Sequence, residues 1–234
     1  MMHAAAILFA LLLVNLSVGQ AAAQTTRYVL TSEDYTAVLN TAATPCDLAP
    51  CPTLTTNMKA QGSITFSAPL APNLSSTSIP TSQVVAYHFE DGVTTYDKSD
   101  SRSRNPYVIV TTDGAGVVTD FSIAFHRWNV APGTGDVTGR LAFLDLRPTS
   151  VNVLANSPCT AGPTTSAFNG ETDICAGLGF GDDTVASQNI GGAVSFVLAP
   201  IAPVPTLTEW AMILLGLMLA GGAVVMIQQR RVMV

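Results

Sequence analysis

Between Gln24 and Pro203 the only imidazoles are His88 and His126. Each falls in a strand-like run on the parity opposite the apolar residues, so both read as solvent-facing strand histidines. Neither stands in a His-x-His or His-Glu-x-x-His spacing, and no Gly-x-Ser-x-Gly elbow accompanies them. The acid pairs Glu90-Asp91 and Asp182-Asp183 raise glycoside hydrolysis, which needs two carboxylates flanking one bond. Neighbours on a strand point to opposite faces, so neither pair can serve alone, and both read as turn acids. No catalytic residue, cofactor motif or complete metal-ligand set is expected.

Two segments invite sharper ideas. Gly177-Leu178-Gly179-Phe180-Gly181-Asp182-Asp183 has the flavour of a calcium loop, yet a Gly/Asp calcium repeat needs tandem copies and one is present. Calcium takes six to eight oxygens, of which Asp182, Asp183 and nearby carbonyls supply only some. Trp128 depends on the path of its strand. If the strand from Val117 continues without a bulge, Trp128 and His126 lie opposite Phe121 and Phe125, where an exposed indole could stack on a sugar ring or a partner. A bulge near Arg127 would instead return Trp128 to the core.

The four cysteines, Cys46, Cys51, Cys159 and Cys175, bracket Pro-, Thr- and Gly-rich loops. Their spacings do not form Cys-x-x-Cys zinc knuckles. Three disulfide pairings exist in principle, and the favoured one is Cys46 with Cys51 and Cys159 with Cys175, each closing a loop with few apolar residues to order it.

The elements that must position these residues are strands. Short β-branched or aromatic runs recur at Tyr28 to Thr31, Thr36 to Leu39, Ser63 to Ser67, Gln83 to Glu90, Tyr107 to Thr112, Val117 to Phe125, Arg140 to Leu146, Val151 to Leu154 and Ala193 to Leu198, bounded by turn residues. Ile64 and Phe66 alternate with polar neighbours; Val85, Tyr87 and Phe89 share one parity, as do Phe121, Ile123 and Phe125. Period two means one buried face. Asp91-Gly92 and Asp113-Gly114-Ala115-Gly116 provide residues able to take positive φ at hairpin turns. The expected class is all-β, an antiparallel β-sandwich over residues 24–198. With 16 acidic against 10 basic residues the chain carries a net charge of −6, which disfavours nucleic acid and anionic lipid as partners.

Both ends read as addresses. Ala4 to Val14 is apolar and precedes Ala21-Ala22-Ala23, an A-x-A pattern with cleavage before Gln24, so residues 1–23 are expected to be a secretory signal peptide. An oxidising exterior would then let the disulfides persist. Residues 199–209 form a Pro-rich, extended spacer. Trp210 to Ile227 carries no charge and would make a helix roughly 27 Å long, enough to span a bilayer core. Arg230 and Arg231, in the 228–234 tail, form a membrane stop that puts the C-terminus in the cytoplasm and the sandwich outside.

The ordered set Val204, Pro205, Thr206, Leu207, Glu209 and Trp210, followed by that span and the basic stop, resembles the IPTL-CTERM sorting signal of Gram-negative bacteria. The sequence departs from the usual motif with Val204 for Ile and Thr208 where Ser is frequent. The resemblance implies recognition by an exosortase-type membrane protease, transient anchoring at residues 210–227, and delivery to the cell surface or extracellular matrix. A permanent single-pass anchor is the plainer alternative.

A second resemblance covers roughly Tyr28 to Ile123. Gly62-Ser63-Ile64-Thr65-Phe66, Pro69-Leu70 with Asn73-Leu74, Phe89-Glu90-Asp91-Gly92-Val93, and Thr112-Asp113 with Gly116 look like a recurrent module of exported bacterial proteins bearing this class of signal. It implies a β-rich fold and transfers no activity. Phe121 stands where that module often has Trp, which suggests a core aromatic. The expectation is a non-enzymatic surface protein, with a carbohydrate- or partner-binding, adhesin-like module as the alternative.

Overall fold

The computed structural model describes residues 25–40, 53–130, 139–181, 184–190, 193–199 and 214–218. The chain divides into two compact units, Met1–Ala199 and Pro200–Val234.

Two antiparallel sheets make up the first unit. The smaller contains β1 (Thr26–Ser32), β3 (Gln61–Phe66), β5 (Val84–Glu90), β6 (Thr95–Asp97) and β13 (Val194–Leu198), in the order β13-β1-β3-β5-β6. The larger contains β2 (Ala37–Asn40), β4 (Thr77–Ser78), β7 (Ser103–Thr112), β8 (Val118–Trp128), β9 (Arg140–Arg147), β10 (Ser150–Thr164) and β12 (Val185–Ile190), in the order β2-β12-β10-β9-β8-β7-β4. The remaining strand, β11 (Ile174–Leu178), pairs with the far end of β10. The strand signals read from sequence missed β4, β6, β11 and β12, and stopped β10 short of its arm.

Period-two alternation does what it should. Tyr28, Leu30, Ile64, Phe66, Tyr87 and Phe89 from one sheet meet Val108, Val110, Phe121, Ile123, Leu144 and Val153 from the other in a single buried core. Phe125 is its hub, with ring centroids 4.5 Å from Phe89, 4.9 Å from Tyr87 and 6.2 Å from Tyr96. Such aromatic pairs add about 0.5–1.5 kcal/mol each beyond their area. Phe121 is buried, 5.0 Å from the Phe196 ring.

One parity expectation fails. Val85 is exposed and Val84 fills the core place, because β5 slips one residue against β3 between Thr65 and Phe66. That bulge inserts an unpaired residue and flips the strand's facing on one side of it.

Two glycine positions explain why this sheet accepts no side chain there. A Cβ on Gly62 would lie 2.2 Å from the His88 carbonyl oxygen and 2.6 Å from the Phe89 ring, which lies over it. Gly92 turns the β5–β6 hairpin at φ +96°, a conformation costly for any L side chain. Asp91 beside it is fully buried. Its Oδ1 accepts the Val93 and Thr94 N–H groups at 2.9 and 2.7 Å, Tyr96 donates its hydroxyl to Oδ2 at 2.7 Å, and Tyr35 donates to the Asp91 carbonyl at 2.8 Å. Burial raises the Asp91 pKa above the ordinary carboxylate value, opposed by those hydrogen bonds.

In the second unit Leu214–Met218 is helical. Among the described residues no helix is long and apolar enough to cross a membrane. The rest of the span expected at residues 210–227 lies outside the described residues, as do the signal-peptide residues Ala21, Ala23 and Gln24 and the stop residues Arg230 and Arg231.

Candidate functional site

The larger sheet carries a second, smaller core on its outer face. Beyond Asn156 β10 leaves β12, pairs with β11, and forms an arm closed by the Cys159–Cys175 disulfide, with sulfurs 2.07 Å apart. Trp128, Leu141, Cys159 and Cys175 form the buried cluster beneath it, flanked by Phe143 and Leu178. The expected second pair, Cys46 with Cys51, lies outside the described residues.

That arm corrects the reading of His126 and decides that of Trp128. The β8–β9 register runs unbroken from Ile123↔Leu146 to Trp128↔Leu141, so no bulge intervenes and both residues do share the face opposite Phe121 and Phe125. The face is not solvated. Trp128 is 5% and His126 3% exposed, because the arm lies across them. Trp128 donates its Nε1–H to the Asp173 carbonyl at 2.8 Å, and the Cys175 N–H donates to His126 Nδ1 at 3.4 Å. The His126 ring packs edge-on to Phe143, and burial lowers its pKa to about 3, so it is neutral at physiological pH. A neutral imidazole walled in by apolar groups holds the arm and is not placed to shuttle protons to a substrate.

The arm's rim is ionic. Arg104 on β7 lies 3.2 Å from Asp173 and 3.8 Å from Glu171. Glu171 Oε2 accepts the Thr81 hydroxyl at 2.6 Å, Asn169 donates to the Asn105 carbonyl at 2.7 Å, and Ser166 donates to the Pro106 carbonyl. Further along the sheet, Asp145 accepts from Tyr107 at 3.2 Å and Arg147 at 3.0 Å, and burial together with the Asp145 charge raises the Tyr107 pKa to about 12. None of these residues was singled out from sequence; the clue, in hindsight, was a Ser/Asn/Glu/Asp-rich stretch closed by two cysteines.

Phe180, in the Gly-rich loop, stands exposed beside Leu39 and Leu154. Asp182 and Asp183 lie outside the described residues, so the loop's candidate calcium acids have no described geometry. Among the described residues no group of three or more His, Cys, Asp or Glu could hold a metal ion.

The outer face of the smaller sheet is different: among the described residues it stands open to solvent, mixing polar side chains with exposed Val29, Val85 and Val197. His88 is solvent-facing, as its parity predicts, with Nδ1 3.0 Å from Asp97 Oδ2. Asp97 also accepts the Ser99 N–H and hydroxyl at 2.8 and 2.6 Å; the Ser99 and His88 hydrogen bonds lower its pKa to about 2. Across the strands the row reads Asp97, His88, Ser63. Glu90 and Asp91, the acid pair on β5 and its turn, separate as alternation requires: Glu90 faces solvent and accepts from Gln61, while Asp91 is interior.

No curated protein and no solved structure matches the chain. A family model does match, over residues 202–231. The stretch begins just past the last strand of the sandwich, contains Val204, Pro205, Thr206, Leu207, Glu209 and Trp210, and ends at Arg231. The chain therefore carries an IPTL-CTERM motif, the C-terminal sorting signal of an exported protein.

Proposed function

We propose that this is a non-enzymatic protein of the cell surface or extracellular matrix, released from a transient membrane anchor by an exosortase-type protease. The carrying observation is the motif at residues 202–231, placed directly after a sandwich whose last strand ends at Leu198. Pro200, Pro203 and Pro205 follow the last strand, a composition that favours extended chain. At the other end β1 starts at Thr26, and it lies inside the sheet between β13 and β3, so cleavage before Gln24 would leave the core whole. The non-catalytic reading is supported by the partners of the two histidines: His126 is sealed under the arm, and His88 pairs with Asp97 on an open face.

Intact-mass analysis of the protein recovered from its native host tests this reading. The mature species should begin at Gln24 and contain no peptide from Ala211 onward. A mature population ending at Val234 would leave a permanently anchored single-pass protein instead.

A further inference from the structure

We propose that the outer face of the smaller sheet binds an extended, neutral, polyhydroxylated chain, a linear polysaccharide, laid along β3. The shape follows from side-chain length. Of the outward residues on the central strand, Ser63 and Thr65 are short and Gln61 is drawn aside onto Glu90, whereas the flanking strands raise Arg27 on one side and His88 with Glu90 on the other. Ser63 is only 9% exposed although it faces out, because it is a floor between walls. Two depressions of about 480 and 270 Å³ result, and they are contiguous, sharing Arg27, Ser63 and His88.

The chemistry narrows the occupant. β3 is hydrogen-bonded to β1 and β5 on its two edges, so a peptide cannot add as a strand there and any ligand must be read by side chains. Arg27 and Lys98 offset Glu90 and Asp97 along the trough, and the chain as a whole carries −6, a balance that favours a neutral occupant over a polyanion such as nucleic acid or a polyuronate. Arg27 and Lys98 only donate, the two carboxylates only accept, and Ser63 and Thr65 do both. Sugar hydroxyls, each donor and acceptor, satisfy such a mixed row without leaving a charge unmatched. Val29, Val85 and Ala86 add small apolar surfaces for the C–H faces of sugar rings.

The row is also partly ordered before any ligand arrives. His88 is held by Asp97, Asp97 by Ser99, and Glu90 by Gln61. Side chains already fixed lose less entropy on binding. A face on rigid, doubly paired strands keeps their spacing.

The inference concerns the sandwich alone and is tested on the unprocessed chain, so its failure and a failure of tail processing are separate results. Full-length protein in a zwitterionic, sugar-free detergent is titrated with neutral hexasaccharides (β-1,4-glucan, β-1,3-glucan, α-1,4-glucan and β-1,4-mannan), an oligogalacturonate, and a Ser/Thr-rich peptide. The imidazole resonances of histidine-labelled protein report the site, since His88 lies in it and His126 does not, and calorimetry reports affinity. At least one neutral chain should shift His88 and leave His126 unmoved, and Ser63→Tyr, which fills the trough, should weaken binding by about tenfold or more, equivalent to about 1.4 kcal/mol, with unchanged Tm. Should Ser63→Tyr lower Tm, Arg27→Met, at an exposed position, carries the same test through loss of its donors. Unaltered affinity in these variants, no shift with any neutral chain, or a His88 shift only with the oligogalacturonate or the peptide would overturn the proposal.

Discussion

The indole Nε1–H of Trp128 donates to the carbonyl oxygen of Asp173 at 2.8 Å, linking the last residue of β8 to the base of the disulfide-closed arm. That bond ties together two parts of the chain that would otherwise share only a surface. It satisfies the polar atom of a side chain that has been buried on what is, for most β-sandwiches, the wet side of a sheet. The arm's own contribution to stability follows from what it covers.

Replacing Cys159 and Cys175 together by Ser should reduce stability by about 3 kcal/mol in the chain-entropy view of a loop of this length. The two principal sheets should persist, since their core does not include the arm. Trp128 fluorescence should shift to the red and become accessible to acrylamide while far-ultraviolet circular dichroism stays β-type. An unchanged Trp128 spectrum in the double variant would mean that packing alone keeps the arm down.

Acid should loosen the same region first. His126 titrates at about 3 when folded and near 6.5 when unfolded, so the unfolded chain binds the extra proton throughout that window. Its contribution is therefore complete above about pH 6.5 and falls by about 1.4 kcal/mol per pH unit as pH drops below that value. Denaturant melts between pH 7 and pH 4 should show this slope, and His126→Phe, which keeps a ring in the site but cannot be protonated, should lose it. The loss of an acceptor for the Cys175 N–H should cost the variant about 1 kcal/mol at neutral pH.

Asp91 carries the opposite sign. Its folded pKa is raised by burial, so the folded state favours the protonated acid. That relative stabilisation is full below the unfolded value of about 3.9 and disappears as pH rises through the folded pKa. The stability difference between Asp91→Asn and the parent should accordingly move in favour of the variant as pH rises from about 4, then level off. Asp91→Ala strips acceptors from the Tyr96 hydroxyl and two turn amides, and should cost about 3 kcal/mol or more at neutral pH in urea melts.

Gly62→Ala is the sharpest steric test of the smaller sheet. With the His88 carbonyl 2.2 Å from the new Cβ, the β3–β5 pairing must open. A loss of about 1–3 kcal/mol is expected from such overpacking. Amide exchange should accelerate along β5 and β6 before it does in β8 and β9.

Much of the fold was legible because alternation is a local property. Ile64 with Phe66 and Phe121 with Ile123 and Phe125 face the core as their parity requires, and the Asp91-Gly92 turn is where a positive φ was needed. Val85 shows the limit, since a bulge is set by the register between two strands and leaves no mark on one strand's pattern. The short strands β6 and β11 were missed for a different reason: Thr95–Asp97 and Ile174–Leu178 are the return limbs of hairpins on β5 and β10, the second closed by a disulfide, and their own composition is close to that of a loop.

The sequence by itself determined the address and the class. The motif at residues 202–231 is contiguous, and strand alternation repeats every two residues, so both are carried by neighbours along the chain. Parity placed His88 outside and His126 on the far face of β8, and left Trp128 to whether a bulge intervened, which the unbroken β8–β9 register decided. Only the tertiary structure decided that the arm closed by Cys159 and Cys175 lies over that face, turning a solvent-facing histidine into a neutral buried one. Burial is a sum over groups brought from elsewhere in the chain, and period two names the face a side chain takes but not what packs upon it.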